Sequence, residues 1–463
     1  VSSLGPKLTT ARAVGSLARA SGRGGGTSLP GKVLLKLEPH AIARIAGRLA
    51  NGAAVISATN GKTTTAALTA TILEGAGHKL VHNRAGANMA GGIASTLLAA
   101  AGRGGRIDGD LGLFEVDELW VPQITDELSP RAILLANLFR DQLDRYGELE
   151  TIADRWGQVV GRLDGNTRLV LNADDPLIAD LGRSRGPEDV TYFGIEDHAL
   201  AVPAMQHASD SKHCRRCGAP YVYDAIYLGH LGDYHCAACG QRRPQPSVSA
   251  GEITLHGTDS STFTLTTPTG ARQIVLPLPG LYNVYNAVAA AALCLELGVS
   301  LDQVVGGLQA ASPAFGRAEE LAFDGHSVKL LLMKNPAGAN ELLRTLALEP
   351  GELDVLAILN DLIADGRDVS WIWDADFELV ASRVRSFTCS GTRAAELAVR
   401  MKYAGVDPAR LTVVPELAAA LDSALEGAGE RRLFVLPTYT ALLSLREELA
   451  ARGHVTRYWE QQT

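Results

Sequence analysis

The chain has few cysteines, no long apolar run and no excess of positive charge. Each shortage removes a class of protein. No stretch of about 18 consecutive apolar residues occurs, so no helix is expected to span a membrane. The formal net charge is −8, which argues against nucleic acid as the main partner. Six cysteines in 463 residues are too few for a disulfide framework, and four of them are clustered. That usage points to a metal site in a reducing compartment. No internal repeat is visible, and no Ser/His/Asp or Cys/His set assembles within the chain. Residues 1–37 lack any acid and carry Lys7, Arg12, Arg19, Arg23, Lys32 and Lys36. Such a segment is a transit peptide, a membrane-surface helix or a basic helix packed on the body.

What is present suits a large globular protein. Apolar residues make up 46% and charged residues 20%, enough for sizeable cores in two or three domains. From Ala53 to about Ala201, apolar strands alternate with helical stretches: Ala53–Ile56, Leu111–Val116, Ile133–Asn137, Leu169–Asn172 and Val190–Phe193. This pattern predicts a mostly parallel, doubly wound α/β sheet. A Gly-, Tyr- and His-rich segment over 203–246 interrupts it. Ile253–Leu265 and Ile274–Leu278 then read as strands and Tyr285–Gly298 as an Ala-rich helix. A second α/β series follows Arg317, with strands at Val355–Leu359, Phe387–Cys389 and Leu433–Leu436.

The most informative stretch is Ser57-Ala58-Thr59-Asn60-Gly61-Lys62-Thr63-Thr64-Thr65, between a short apolar strand and a helix. Gly-Lys-Thr at such a junction is the core of a phosphate-binding loop. Backbone N–H groups at the helix start face an anion, Lys62 neutralises phosphate charge, and the Thr63 hydroxyl is placed to hold Mg²⁺. The expected ligand is a nucleoside triphosphate. Glu115 ends an apolar strand; it is either a Mg²⁺ ligand or an ordinary strand end. Asn137 to Gly147 and Asn172-Ala173-Asp174-Asp175 are acidic strand ends that either cap helices or orient nucleotide. Asn283 and Asn286 either cap a helix or read an adenine edge. Arg317 is a surface linker residue or a phosphate ligand from the second domain.

Cys214-x-x-Cys217 and Cys236-x-x-Cys239 are separated by eighteen residues, each pair followed by Gly (Gly218, Gly240). Four thiolates at this spacing predict a closed, structural zinc site. Asp365 to Trp373 is rich in acids and holds two tryptophans. Such a loop marks a protein interface or fills its own core.

With these residues in hand, the chain resembles the Mur ligase superfamily and, within it, the MurT family of synthetase subunits of lipid II isoglutaminyl synthase. Thr59 to Thr63, Glu115, Asp141-Gln142-Leu143-Asp144-Arg145, Asn172 to Asp175 and Asn283-x-x-Asn286 fall in the superfamily's order. The four-cysteine insertion, Leu332 to Gly338 and Asp365 to Trp371 carry the narrower likeness. The resemblance implies a basic N-terminal segment over 1–40 and a Mur ligase central ATP-binding domain over 41–316. A zinc ribbon interrupts that domain over 203–246, and a C-terminal α/β domain contacting a glutaminase spans 317–463.

It further implies a reaction. ATP phosphorylates the α-carboxylate of the D-glutamate in the lipid II stem peptide. Ammonia from a GatD-type glutaminase partner then gives D-isoglutamine, in peptidoglycan synthesis. By motif, Lys62 and Thr63 bind phosphates and Mg²⁺, Glu115 holds Mg²⁺, and Asn286 meets adenine. Asp368 completes the partner's Cys–His pair, which would explain the missing triad.

Three departures carry expectations. Ala58 stands where most relatives have Gly, which should tighten the loop on phosphate. Gln142 stands where many Mur ligases have a metal-binding His. Only about fifty residues precede the loop, too few for a typical UDP-binding domain, so a lipid-linked substrate is expected. The basic N-terminus then belongs near an anionic membrane surface, and the location is cytoplasmic, peripheral at the inner face of the plasma membrane. Two other readings compete: a folylpolyglutamate synthase-like ligase, and a non-catalytic ATP-binding regulator of a glutaminase.

Overall fold

Among the described residues, a nine-stranded and a six-stranded sheet organise the fold, each covered by helices on both faces. The computed structural model describes residues 4–20, 28–83, 87–102, 106–141, 149–205, 209–312, 317–323 and 325–454. The large sheet contains β1 (Ala53–Ser57), β2 (Leu80–His82), β3 (Leu111–Glu115), β4 (Ala132–Leu135), β5 (Arg168–Asn172) and β6 (Val190–Ile195). A separate hairpin follows, β7 (Val222–Leu228) and β8 (Leu231–His235). The chain then returns to the sheet with β9 (Val248–His256), β10 (Ser260–Thr267) and β11 (Gly270–Leu276). The predicted run from Ile253 to Leu265 is therefore two antiparallel strands. They are separated by a turn at Gly257, whose φ of +53° suits glycine.

The sheet order is β11-β10-β9-β6-β5-β4-β1-β3-β2, parallel from β2 across to β9. The chain runs from β1 outward to one side through β2 and β3, then crosses to β4 on the other. β1 is thus the topological switch point, and a crevice opens at its carboxyl end. Alternation along β1 feeds two cores: Ala54 and Ile56 face one side, Ala53 and Val55 the other. The Ala-rich helix Leu281–Glu296 lies almost wholly buried over the first core. Its small side chains let it approach both the sheet and the helix Lys62–Gly75.

The N-terminal helices Leu4–Ala20 and Leu29–Leu37 pack on the second core through Leu4, Leu8, Ala11 and Leu34. Contact is close enough that a Cβ on Gly31 would lie 1.9 Å from the Gly91 carbonyl oxygen. Residues 21–27, including Arg23, lie outside the described residues.

The second sheet holds β12 (Arg317–Phe323), β13 (His326–Leu331), β14 (Leu353–Ile358), β15 (Val384–Ser390), β16 (Leu411–Val413) and β17 (Leu433–Pro437). Its order is β12-β13-β17-β14-β15-β16, parallel except for the β12–β13 hairpin. The helix Pro336–Ala347 leaves β13 after Lys334 and Asn335. That short link brings both residues to the large sheet's crevice.

Candidate active site

The phosphate loop occupies the crevice at the end of β1. Gly61 has φ +86° and starts the helix Lys62–Gly75. A Cβ there would lie 2.1 Å from Asn286 Oδ1, so the position excludes a side chain for two independent reasons. Asn137, just beyond β4, ties the loop down. Its carbonyl accepts from Thr59 N–H (3.0 Å). Its side chain accepts from Asn60 N–H (2.9 Å) and donates to the Asn60 carbonyl (3.0 Å). Phe139 N–H donates to Thr59 Oγ1 at 3.1 Å. Thr63 sits half-exposed in the first helical turn, and Thr64 is buried behind it.

Ala58 differs from its expectation. Its backbone is not left-handed, and its methyl is buried in the core of the large sheet. Alanine is accommodated there without crowding the mouth of the loop.

Lys62 is buried, and its Nζ donates to the Ala58 carbonyl and to Glu118 Oε2 at 2.8 Å. Burial alone would raise the Glu118 carboxyl. The charges of Lys62 and Lys334 outweigh it and hold that carboxyl below its ordinary value. Glu118 was not among the predicted site residues. It lies three residues past Glu115, beyond the end of β3, where strand alternation no longer reports on position. Glu115 is also buried. Asn83 pins its backbone in both directions (2.9 and 2.8 Å), and Asn88 Nδ2 reaches Glu115 Oε1 at 3.4 Å.

The second domain reaches this cluster. Lys334 Nζ pairs with Asp141 Oδ2 at 2.5 Å, and Asn335 Nδ2 donates to Asn60 Oδ1 at 2.8 Å. The other Asp141 oxygen is buried with no hydrogen-bond partner among the described residues. Two lysines and three carboxylates thus converge on one loop. Asn286 joins them: its Oδ1 accepts from Thr65 Oγ1 (3.2 Å), and its amide donates to Asn283 Oδ1 (3.1 Å). Asn283 donates in turn to the Pro279 carbonyl (2.8 Å). The pair therefore lies against the phosphate loop itself. Arg317 begins β12, and its side chain lies outside the described residues, as do Gln142, Asp144 and Arg145.

The acidic turn after β5 takes the capping alternative. Asp175 Oδ1 accepts from Leu177 and Ile178 N–H groups, at 2.9 and 3.3 Å. Asp174 is wholly buried and receives Arg243 Nε (2.7 Å), the Tyr285 hydroxyl (2.6 Å) and Ile195 N–H (2.9 Å). Burial nevertheless leaves its carboxyl above the ordinary value.

The four clustered cysteines bring their sulfurs within 4.8 Å of one another. Cys214–Cys239 and Cys217–Cys236 are each 3.5 Å apart. Tetrahedral Zn–S bonds of about 2.3 Å would set sulfurs about 3.8 Å apart, so the set fits zinc. The two knuckles repeat one geometry. Cys214 and Cys236 N–H donate to Ala219 and Gln241 carbonyls, and Gly218 and Gly240 N–H donate back to the cysteine carbonyls. Both glycines have φ +75°.

Asp368 lies on the surface loop after β14. Its Oδ1 accepts Ser370 N–H at 2.8 Å, and this bonding to Ser370 lowers its carboxyl below the ordinary value. The two loop tryptophans divide. Trp371 packs on the C-terminal core, whereas Trp373 is half-exposed between Arg400 (5.5 Å) and Tyr403 (5.8 Å).

Comparison with known proteins agrees with this geometry. Residues 56–294 match the Mur ligase middle domain, and residues 332–442 match the MurT ligase C-terminal domain. A lipid II isoglutaminyl synthase (glutamine-hydrolyzing) subunit MurT from Streptococcus pneumoniae is 31% identical over 435 residues, 94% of each chain. Its namesake from Staphylococcus aureus is 31% identical over 425 residues, 92% of this chain and 93% of that one. A pseudomurein peptide ligase type C from Methanothermus fervidus shares the fold, with TM-score 0.67 and 22% identity. That match covers 87% of this chain and 79% of the other. Fold and site define an ATP-dependent ligase of the Mur type, a class that works with Mg²⁺. More narrowly, the chain belongs to the MurT family.

Proposed function

We propose that this chain amidates the α-carboxylate of D-glutamate in the lipid II stem peptide, using ATP and ammonia delivered by a GatD-type glutaminase. The supporting observation is the convergence of Lys62, Glu118, Lys334 and Asn335 on one phosphate loop from two domains. Lys62 is held by a carboxylate that a triphosphate can replace, so it is desolvated and poised for phosphate charge. The substrate carboxylate oxygen attacks the γ-phosphorus and ADP leaves, giving an acyl phosphate. Ammonia then attacks the carbonyl carbon, phosphate departs, and the nitrogen loses a proton.

Mg²⁺ suits the oxygen donors at this loop: Thr63 and the buried Glu115 would hold it, and it would neutralise phosphate charge. The Cys214, Cys217, Cys236 and Cys239 thiolates would hold zinc with no open position, which makes its role structural.

Asp368 supplies the partner's missing acid. An exposed carboxylate that stays ionised suits orientation of a histidine on another chain. In the same stretch of chain Ile363 is 79% exposed and Leu362 and Trp373 are exposed, with the exposed Tyr403 ring 5.8 Å from Trp373. Such an apolar surface fits a protein partner. No described helix is long and apolar enough to cross a membrane. The basic N-terminal helices suit the anionic inner face of the plasma membrane, where lipid II would be met.

The reaction is tested by adding hydroxylamine to this chain with lipid II and ATP, without glutaminase. A hydroxamate on the stem peptide is expected. ATP binding with no hydroxamate and no lipid II-dependent ADP release would contradict the acyl phosphate.

A further inference from the structure

The turn of the cysteine hairpin is far better connected than a surface insertion needs. Gly229 has φ +57°, and a Cβ there would lie 2.8 Å from the Phe139 ring. His230 is wholly buried, packs its ring at a tilt against Phe139 with centroids 4.6 Å apart, and sets Nε2 3.5 Å from Asp175 Oδ2. That same Asp175 oxygen accepts Leu138 N–H at 2.9 Å. Asp210, on the approach to the hairpin, accepts Arg140 N–H at 2.9 Å and also its guanidinium. The segment 138–141 is thus held from the hairpin side. Its other side holds the active site, through Phe139 N–H to Thr59 and Asp141 to Lys334.

The hairpin also touches the second domain. Arg344 Nη1 donates to the Tyr227 carbonyl at 2.6 Å. Arg344 belongs to the helix Pro336–Ala347, whose N-cap is Asn335. The contacts close a ring. It runs from the hairpin turn to 138–141, to the phosphate loop, to Asn335, along that helix to Arg344, and back to Tyr227. The hairpin is held at both ends. The cysteine cluster flanks it, with Cys214 and Cys217 before β7 and Cys236 and Cys239 after β8, and Arg243 ties its exit segment to Asp174 and Glu196.

We propose that the hairpin tip, from Tyr227 at the end of β7 through the turn at His230, positions the C-terminal domain over the phosphate loop, so that Lys334 and Asn335 arrive together at the triphosphate. The residues involved are positioning residues, and the idea rests on the reading of the loop as the ATP site. A charged donor on a buried carbonyl holds two bodies together only while both are in register, so its loss should loosen both ends of the ring.

The test uses the full-length chain and its Arg344→Ala and Arg344→Lys variants. Hydrogen exchange is read peptide by peptide, without substrate. For Arg344→Ala, exchange at 335–340 and 136–141 should rise on the order of ten-fold, with Arg344→Lys intermediate. Zinc content should stay at the wild-type value. In synthesis from free ammonium, kcat should fall about ten-fold while KM for ATP moves less than about two-fold, because Gly61 and Lys62 keep their places and only the groups brought by the second domain are lost. Gly229→Ala, which pushes Phe139 from the hairpin side, should loosen the same two segments. Loosening confined to 226–232, or an equal rise over the whole chain, overturns the proposal. The exchange measurement stands even if lipid II is not the substrate, so the two failures are distinguishable.

Discussion

Replacing Gly61 by alanine perturbs the phosphate loop in two separable ways. The backbone at φ +86° must adopt a left-handed conformation with a Cβ, at a cost of about 1–2 kcal/mol. The new methyl meets Asn286 Oδ1 at 2.1 Å, so Asn286 must move and break its bonds to Thr65 and Asn283. Overpacking of this kind adds about 1–3 kcal/mol. The sum, about 2–5 kcal/mol, falls on the loop conformation that binds phosphate. ATP affinity should drop at least about thirty-fold. In an Asn286→Ala background the clash is gone and only the backbone cost remains. There, Gly61→Ala should weaken ATP by only the backbone share, about five- to thirty-fold. Calorimetric titration of ATP into the wild type, both single variants and the double variant gives the coupling directly. Equal effects of Gly61→Ala in both backgrounds would refute the placement of Asn286 on the loop. They would favour its reading as an adenine contact, and so would a loss of ATP-over-GTP preference in Asn286→Ala alone.

Other outcomes follow from the same geometry. Lys62→Ala should abolish amidated product while sparing glutamine hydrolysis by the partner; loss of both would show that Lys62 matters only to folding. Asp368→Asn should abolish glutamine hydrolysis in the complex but leave synthesis from free ammonium, and unchanged hydrolysis rejects the shared triad. Glu118 has a lowered carboxyl, so its stabilising pair with Lys62 is fully present above the ordinary glutamate range and is lost as pH falls through the lowered value. Thermal stability of Glu118→Gln and wild type should therefore converge only at pH values below the ordinary glutamate range, in a melting series across pH. Elemental analysis should find one zinc per chain, and Cys236→Ser should lower that content and unfold the ribbon first, seen as early proteolysis within 203–246.

The parts of the site readable in sequence were those made by neighbours in the chain. Gly-Lys-Thr after an apolar strand needs no distant residue to be recognised, and the two cysteine pairs carry their own knuckle glycines. The partners of these groups come from far away. Glu118 is 56 residues from Lys62, and Asn335 is 275 from Asn60, so periodicity has no access to either contact. Asn83 stayed unread for the same reason, since a lone polar residue past a strand resembles any turn, and Asn137 was read only as the start of an acidic strand end. The acidic turn Asn172 to Asp175 left capping and nucleotide roles open. Capping describes Asp175, while Asp174 became the buried seat for Arg243 of the insertion. The tryptophan loop likewise divided between core and surface, because one sequence pattern served a packed Trp371 and an open Trp373. Ala58 looked anomalous only while its backbone was unknown; an ordinary φ and a buried methyl remove the anomaly.

The measurement that bears most directly on the account is product analysis of lipid II after incubation with this chain, a GatD-type glutaminase, glutamine and ATP. The account predicts conversion of the D-glutamate α-carboxylate to a carboxamide, dependent on ATP and absent with Lys62→Ala. Unmodified lipid II from an intact complex that binds ATP and hydrolyses glutamine would contradict it.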